Sequence, residues 1–166
     1  MVLELEFISN WIQINDIYTR YVHAADDCDF DALDKLFLDE TTFDWSSETN
    51  PLPLVTWASL REAQAFPLQS VLPWAFHICG NVRIDISAGG KTAETKSKTI
   101  MPCGSGEQST QRQKFFQVNG EYVDRLVKVE DGWRIVSRKW LERFAIGVFD
   151  KVEDIPGELG IEPSRQ

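Results

Sequence analysis

Histidine and cysteine are scarce in this chain, and basic residues are outnumbered. It holds two histidines and three cysteines in 166 residues. Cys28, Cys79 and Cys103 are odd in number and irregular in spacing. That pattern fits neither a closed disulfide framework nor a zinc site, and a reducing, cytoplasmic setting is the plain expectation. Lysine and arginine total 17 against 26 aspartates and glutamates, a net charge of −9. The sign is wrong for a nucleic-acid partner, whose phosphates reward a basic face. No run approaches ~18 apolar residues, so no membrane span is expected. The start, MVLELEFISN, lacks the basic region and apolar stretch of a signal peptide. PCGSGEQSTQ has glycines but no strand–loop–lysine phosphate pattern. DDCDFD has four aspartates but neither the glycine nor the terminal glutamate of a calcium loop. Neither a metal nor a cofactor is expected.

The composition, 43% hydrophobic and 26% charged, is that of a soluble globular chain long enough to bury a core. Phe7, Trp11, Ile14, Tyr18, Tyr21, Val22 and Ala25 recur at helical spacing, which predicts an amphipathic first helix with Ser9 or Asn10 available to cap a later start. After the acidic junction AADDCD, Asp29 is placed to cap a second helix with Phe30, Leu33, Leu36 and Phe37 as its apolar side. TTFDWS predicts a short strand, NPLPLV an irregular stretch, and WASLREAQAF a third helix that Thr56 caps and Pro67 ends. From Ala75 the period changes to two. Two strands meet at Gly89-Gly90, a polar loop follows at PCGSGEQSTQR, and two long strands join at Asp131-Gly132. Gly80 and Gly120, inside strands, predict bulges that bend the sheet. Helices first and antiparallel strands after make the class α+β, a curved sheet closed by helices around an apolar interior. Residues 1–150 form this domain, and 151–166 form an irregular tail that either lids the cone's opening or is disordered.

The stretch AFHICGN puts His77 inside an apolar strand. Two readings are open there: a core histidine satisfied by a backbone carbonyl, or a base oriented by a carboxylate. His23, off the apolar stripe of its helix, reads as a surface residue.

Three segments in this order, IYTRYVHAADDCDFDALDKLF, FHICGNVRIDI and GEYVDRLVKVEDGWRIVSR, resemble the scytalone dehydratase and SnoaL-like group of the NTF2-like superfamily. The resemblance runs from about Ile8 to Phe144. It implies a cone-shaped barrel and a base dyad inside it, an aspartate after the first helix paired with a strand histidine. Matched residue by residue, these are Asp26 and His77. Two tyrosines of the dehydratase have no counterpart, Ala25 and Trp45 standing in their places, and no second histidine is found. The scytalone substrate itself is therefore not expected. Trp45, Phe116, Tyr122, Arg138 and Trp140 lie on strands that should line the cone, as substrate-binding or core residues. Tyr122 and Arg138 could also donate to a developing oxyanion.

The expected function is a cofactor-independent lyase or isomerase acting on a small hydrophobic natural-product intermediate by dehydration, double-bond shift or cyclisation. Two other readings stand beside it: a non-catalytic ligand-binding or assembly protein on the same fold, and a partner chain similar to a dioxygenase β subunit. Homo-oligomerisation, as a dimer or trimer, is implied by the resemblance.

Overall fold

The computed structural model describes residues 4–46, 52–63, 74–105 and 114–147. The expected helix stop at Pro67, the middle of the polar loop and the 151–166 tail lie outside these residues. Helix α1 spans Leu5–Asp26 and buries Asn10, Ile14, Ile17, Tyr18, Tyr21, Ala24 and Ala25. Neither Ser9 nor Asn10 caps it, since the helix already begins after Glu4, whose side chain makes no cap bond. Phe7 and Trp11 were expected on the packed face, yet they are 40% and 41% exposed. Asn10 holds the buried slot instead, because its Oδ1 accepts a hydrogen bond from Trp133 Nε1 at 3.2 Å. No apolar residue could satisfy that indole, and the packed face turns toward Asn10 accordingly.

Helix α2 is one turn, Phe30–Leu33, and Asp29 caps it by accepting from the Ala32 N–H at 3.0 Å. It stops short of the expected apolar side. Leu36 is buried in the following turn and Phe37 opens strand β1, Phe37–Asp44. Then come β2 (Val55–Thr56), α3 (Trp57–Ala63), β3 (Trp74–Ala75), β4 (Ile78–Ile86), β5 (Thr92–Ser105), β6 (Lys114–Val129) and β7 (Gly132–Gly147). Pro102 to Ser105, read as loop in the sequence, continue β5.

The sheet runs β2-β1-β7-β6-β5-β3, with β4 also on β5. It is open rather than a closed barrel, and it is mixed: β1 pairs with β7 in parallel. That corrects the antiparallel expectation. A parallel pair needs a long crossover, and the whole chain between β1 and β7 supplies one. Thr41 pins the junction, donating to the Ile135 carbonyl at 2.6 Å and accepting from the Leu38 N–H at 2.9 Å. The register of β1 against β7 shifts between Phe37 and Thr42.

Bulges bend the sheet at Gly80/Arg83, Asn119/Gly120 and Arg125/Leu126. In the first, the left-handed residue is Asn81 (φ 49°), and Gly80 has open space around it. Gly120 is different. A Cβ there would lie 2.5 Å from the Leu141 carbonyl oxygen and 2.6 Å from the Trp140 ring. The missing Cβ is what lets the edge of the indole approach the backbone here. Gly120→Ala should cost about 1–3 kcal/mol, the usual penalty of overpacking. Urea unfolding measures it, and an unshifted midpoint would contradict the close packing.

The concave face carries the main core, formed by α1, α2, Phe43, Trp57, Leu126, Trp133 and Ile135. A smaller cluster of Met101, Cys103 and Val118 sits farther along β5 and β6, and Trp140 packs against both. On the outer face Glu121 is held by Lys98, by Lys96 at 3.0 Å and by Arg143 at 2.5 Å. Hydrogen bonds from Lys98, then Arg143 and Lys96, pull its carboxyl down to about 2.

Candidate functional site

Asp26 is the last residue of α1. The chain leaves that helix by a left-handed turn: Cys28 has φ 53°, Asp29 N–H reaches the Ala24 carbonyl at 2.8 Å, and Cys28 N–H reaches Ala25 at 3.2 Å. This is the Schellman arrangement, here without its usual glycine. A carboxylate at a helix C-terminus opposes the dipole and needs donors from elsewhere.

His77 provides them. It lies in the two-residue gap between β3 and β4, so its N–H is not used in the ladder. The gap falls beside Pro102, which has no N–H to give, while the Pro102 carbonyl accepts from Phe76 N–H at 2.9 Å. The free His77 N–H points at Asp26, 3.0 Å from Oδ2 and 3.2 Å from Oδ1. The ring adds a third contact, Nδ1 to Oδ1 at 2.6 Å. A carboxylate can only accept, so Nδ1 carries the proton and the Nε2 lone pair is available. Among the described residues Nε2 has no hydrogen-bond partner. The His77 side chain is 4% exposed and that of Asp26 18%. The structure thus brings these two residues together.

Beside them lies a buried polar group of which the sequence pointed only to Tyr122 and Arg138. Tyr21 meets the His77 ring edge-on, centroids 5.9 Å apart, and its hydroxyl is 3.3 Å from that of Tyr122. The Arg138 guanidinium lies over both phenol rings, 4.1 Å from Tyr21 and 4.2 Å from Tyr122, which meet edge to face with centroids 5.7 Å apart. Arg138 is locked to Asp124 by Nε at 3.0 Å and Nη2 at 2.8 Å. Its buried Nη1 finds no acceptor among the described residues, and the aromatic faces compensate in part. Tyr18 donates to Asp124 at 2.9 Å and contacts the Thr95 hydroxyl. Burial pushes the Tyr21 and Tyr122 hydroxyls up, so both remain proton donors. Burial pulls Arg138 down, but Asp124 outweighs it and holds the guanidinium charged.

The interior is thus more polar than the two candidates Tyr122 and Arg138 suggested. Thr95, Ser97, Thr99, Asp124 and Arg138 are all buried on the concave face. Cys79, two residues past His77, donates to Ser97 at 3.3 Å and accepts from Thr99 at 3.5 Å. Cys103 is sealed, its thiol pushed up to about 12 by burial, and Cys28 is exposed.

The other candidates divide. Tyr122 and Arg138 are buried in the centre. Trp45, Phe116 and Trp140 are only half-buried. Trp45 stacks on Phe43 at 5.4 Å, just past the end of β1, and Trp140 packs on Tyr122 at 5.1 Å. Phe116 joins the Met101, Cys103 and Val118 cluster. His77 stands one step before Ile78, which pairs with Ile100, and so sits at the level of Met101 in that cluster. A surface hollow of about 580 Å³ lies at the opposite end of β4, lined by Asp85, Glu94 and Arg125 among others, and touches neither Asp26 nor His77. His23 is exposed, as expected. Among the described residues no cluster of histidine, cysteine, aspartate and glutamate could hold a metal, and no helix is long and apolar enough to cross a membrane.

A family model described as a SnoaL-like domain matches residues 11–139. Among solved structures, a protein titled as a candidate scytalone dehydratase from Novosphingobium aromaticivorans superposes with a TM-score of 0.70 at 15% identity, covering 88% of this chain and 92% of that one. The hexachlorocyclohexane dehydrochlorinase LinA-type3 from Novosphingobium barchaimii superposes at 0.70 and 9% identity, over 89% and 95%. A candidate dehydratase of the NTF2-like family from Streptomyces avermitilis superposes at 0.67 and 14% identity, over 86% and 99%. These likenesses establish the fold. No curated protein matches the sequence.

Proposed function

Because the chain belongs to the SnoaL-like family and carries an imidazole oriented by a carboxylate, we propose that it is a cofactor-independent lyase or isomerase. Its substrate is a small hydrophobic natural-product intermediate bearing a carbonyl. The observation that carries this reading is the 2.6 Å contact from His77 Nδ1 to Asp26, which leaves Nε2 as a base in a nearly water-free setting. Two of the solved relatives are named for eliminations, of water and of hydrogen chloride.

In the reaction, Nε2 takes a proton from the carbon next to the carbonyl. The C–H electron pair becomes a C=C bond, and charge builds on the carbonyl oxygen. Asp26 stabilises the imidazolium as it forms. The hydroxyl pair of Tyr122 and Tyr21, kept protonated by burial, donates to the oxyanion. Arg138, committed to Asp124, strengthens those donors from behind their rings. The enolate pair then re-forms the carbonyl: it expels a hydroxyl that takes the proton from the imidazolium, giving elimination; the imidazolium protonates a different carbon of the extended enolate, giving a double-bond shift; or the enolate carbon attacks a second carbonyl of the same substrate, whose oxygen takes the proton, giving cyclisation. General-base catalysis supplies roughly 10²–10⁴-fold, so the C–H must already be acidified by the carbonyl. Trp45, Phe116 and Trp140 form the apolar wall.

One observation favours the reading as a non-catalytic binding protein: Tyr21, Tyr122 and Arg138 fill the centre of the concave face. Incubation in D₂O separates the two. Cyclic ketones and β-hydroxy ketones that quench tryptophan fluorescence on binding are followed by mass spectrometry. Catalysis predicts deuterium at the carbon next to the carbonyl, or loss of water. Compounds that bind and emerge unchanged throughout would overturn the enzyme reading.

A further inference from the structure

The three cysteines sit in three different settings. Cys103 is fully buried. Cys28 is exposed, and its thiol makes no hydrogen bond among the described residues. Cys79 is half-buried and packs against the main core of the concave face. It stands two residues past His77. Phe76 on Pro102 and Ile78 on Ile100 keep one register across that stretch, so the chain there is extended. Two steps along an extended chain return to the same side, about 7 Å further on. Thiol and imidazole therefore open onto one space.

The surroundings of Cys79 suit a nucleophile. Its thiol donates to Ser97 at 3.3 Å, and the Thr99 hydroxyl donates to the sulfur at 3.5 Å. A donor on the sulfur offsets the charge gained when the thiol proton leaves. Burial is what chiefly raises the Tyr21 and Tyr122 hydroxyls, and a charge on Cys79 adds to it, so the sulfur lies within electrostatic range of both. Two polar atoms of this centre lack a partner among the described residues: His77 Nε2 and Arg138 Nη1. Their side chains are 4% and 1% exposed. Buried polar atoms left open in this way call for a polar ligand.

We infer that Cys79 is a covalent acceptor for α,β-unsaturated ketones whose oxygen rests on the Tyr21 and Tyr122 hydroxyls. The sulfur pair forms a C–S bond at the β-carbon. The C=C pair moves toward the carbonyl, and charge builds on its oxygen, where the two hydroxyls donate. The thiol proton passes to His77 Nε2 and from there to the carbon next to the carbonyl, which the enolate pair binds. Nothing leaves, and no oxidant or reductant enters. The inference rests on the proposed lyase reading only for the source of the reagent: loss of water from a β-hydroxy ketone yields such an enone beside this thiol. The adduct occupies the concave centre and halts turnover while it lasts.

The test is mass spectrometry of the full chain after incubation with cyclohexenone. A one-to-one adduct with the mass of the intact enone is expected, mapped to Cys79 ahead of the more exposed Cys28. Cyclohexanone, which has the oxygen but no acceptor carbon, should slow the labelling by competition. His77→Ala should slow it by about 10²-fold or more, the lower end of what a positioned base contributes. Absence of an adduct, or labelling of Cys28 first, would overturn the inference. So would a rate that cyclohexanone leaves unchanged, or a folded His77→Ala chain labelled as fast as wild type. Should that variant unfold, the mapping on wild type decides alone. Incubation of the same preparation in D₂O keeps the two readings apart. Deuterium uptake without an adduct removes this inference and leaves the enzyme. An adduct without deuterium uptake or loss of water removes the enzyme and leaves the thiol site.

Discussion

His77→Ala should abolish turnover while leaving the fold intact, and Asp26→Asn should come close to it. In the proposed mechanism the imidazole is the base, and its loss removes at least the roughly 10²–10⁴-fold that general-base catalysis contributes. The asparagine variant acts differently. An amide can donate as well as accept, so it no longer forces the ring proton onto Nδ1. ¹⁵N chemical shifts of the His77 ring read the tautomer directly. In wild type Nδ1 should be protonated and Nε2 bare, and in Asp26→Asn the two forms should mix. Undiminished activity in either purified, folded variant would remove the mechanism. A wild-type ring protonated on Nε2 alone would do the same.

The second large effect concerns stability. Arg138→Met leaves Asp124 charged and buried, with the Tyr18 hydroxyl as its remaining side-chain hydrogen-bond donor among the described residues. Breaking one side of such a pair costs about 3–5 kcal/mol, a large share of the ~5–15 kcal/mol that holds a domain of this size. Removing both charges should cost far less, so Asp124→Leu with Arg138→Met should recover much of the loss. Urea midpoints of the single and double variants decide the matter. A single variant as stable as wild type would mean that the pair and its two tyrosine faces contribute nothing.

Much of the architecture was legible because its signals are local. The helical stripe through Ile14, Tyr18 and Tyr21, the Asp29 cap and the hairpin closing at Asp131-Gly132 each depend on a few neighbouring residues. The Asp124–Arg138 pair was not legible for a definite reason. Without the bulge at Arg125/Leu126, Asp124 would face Ser137, and no spacing rule foresees that Val136 is the extra residue. The parallel pairing of β1 with β7 is similarly non-local, resting on Thr41 and the Leu36 carbonyl reaching Ile135. Phe7 and Trp11 misled because periodicity marks a stripe but not where along it the packing begins. The partnership of Asp26 with His77, separated by 51 positions, came from family resemblance. Spacing alone does not distinguish Asp26 from Asp27 or Asp29. In the sequence Tyr21 is one more residue of the apolar stripe; that its hydroxyl meets that of Tyr122 follows only from how α1 sits on the sheet.

Three hydrogen bonds tie the end of α1 to the strand edge, and they are the same bonds that orient the base. For the proposed reaction, orientation of the base and docking of the first helix are therefore one event. Because α1 also buries Ile14, Ile17, Tyr18 and Tyr21 in the main core, the proposed turnover and the tertiary packing should be lost together as denaturant rises.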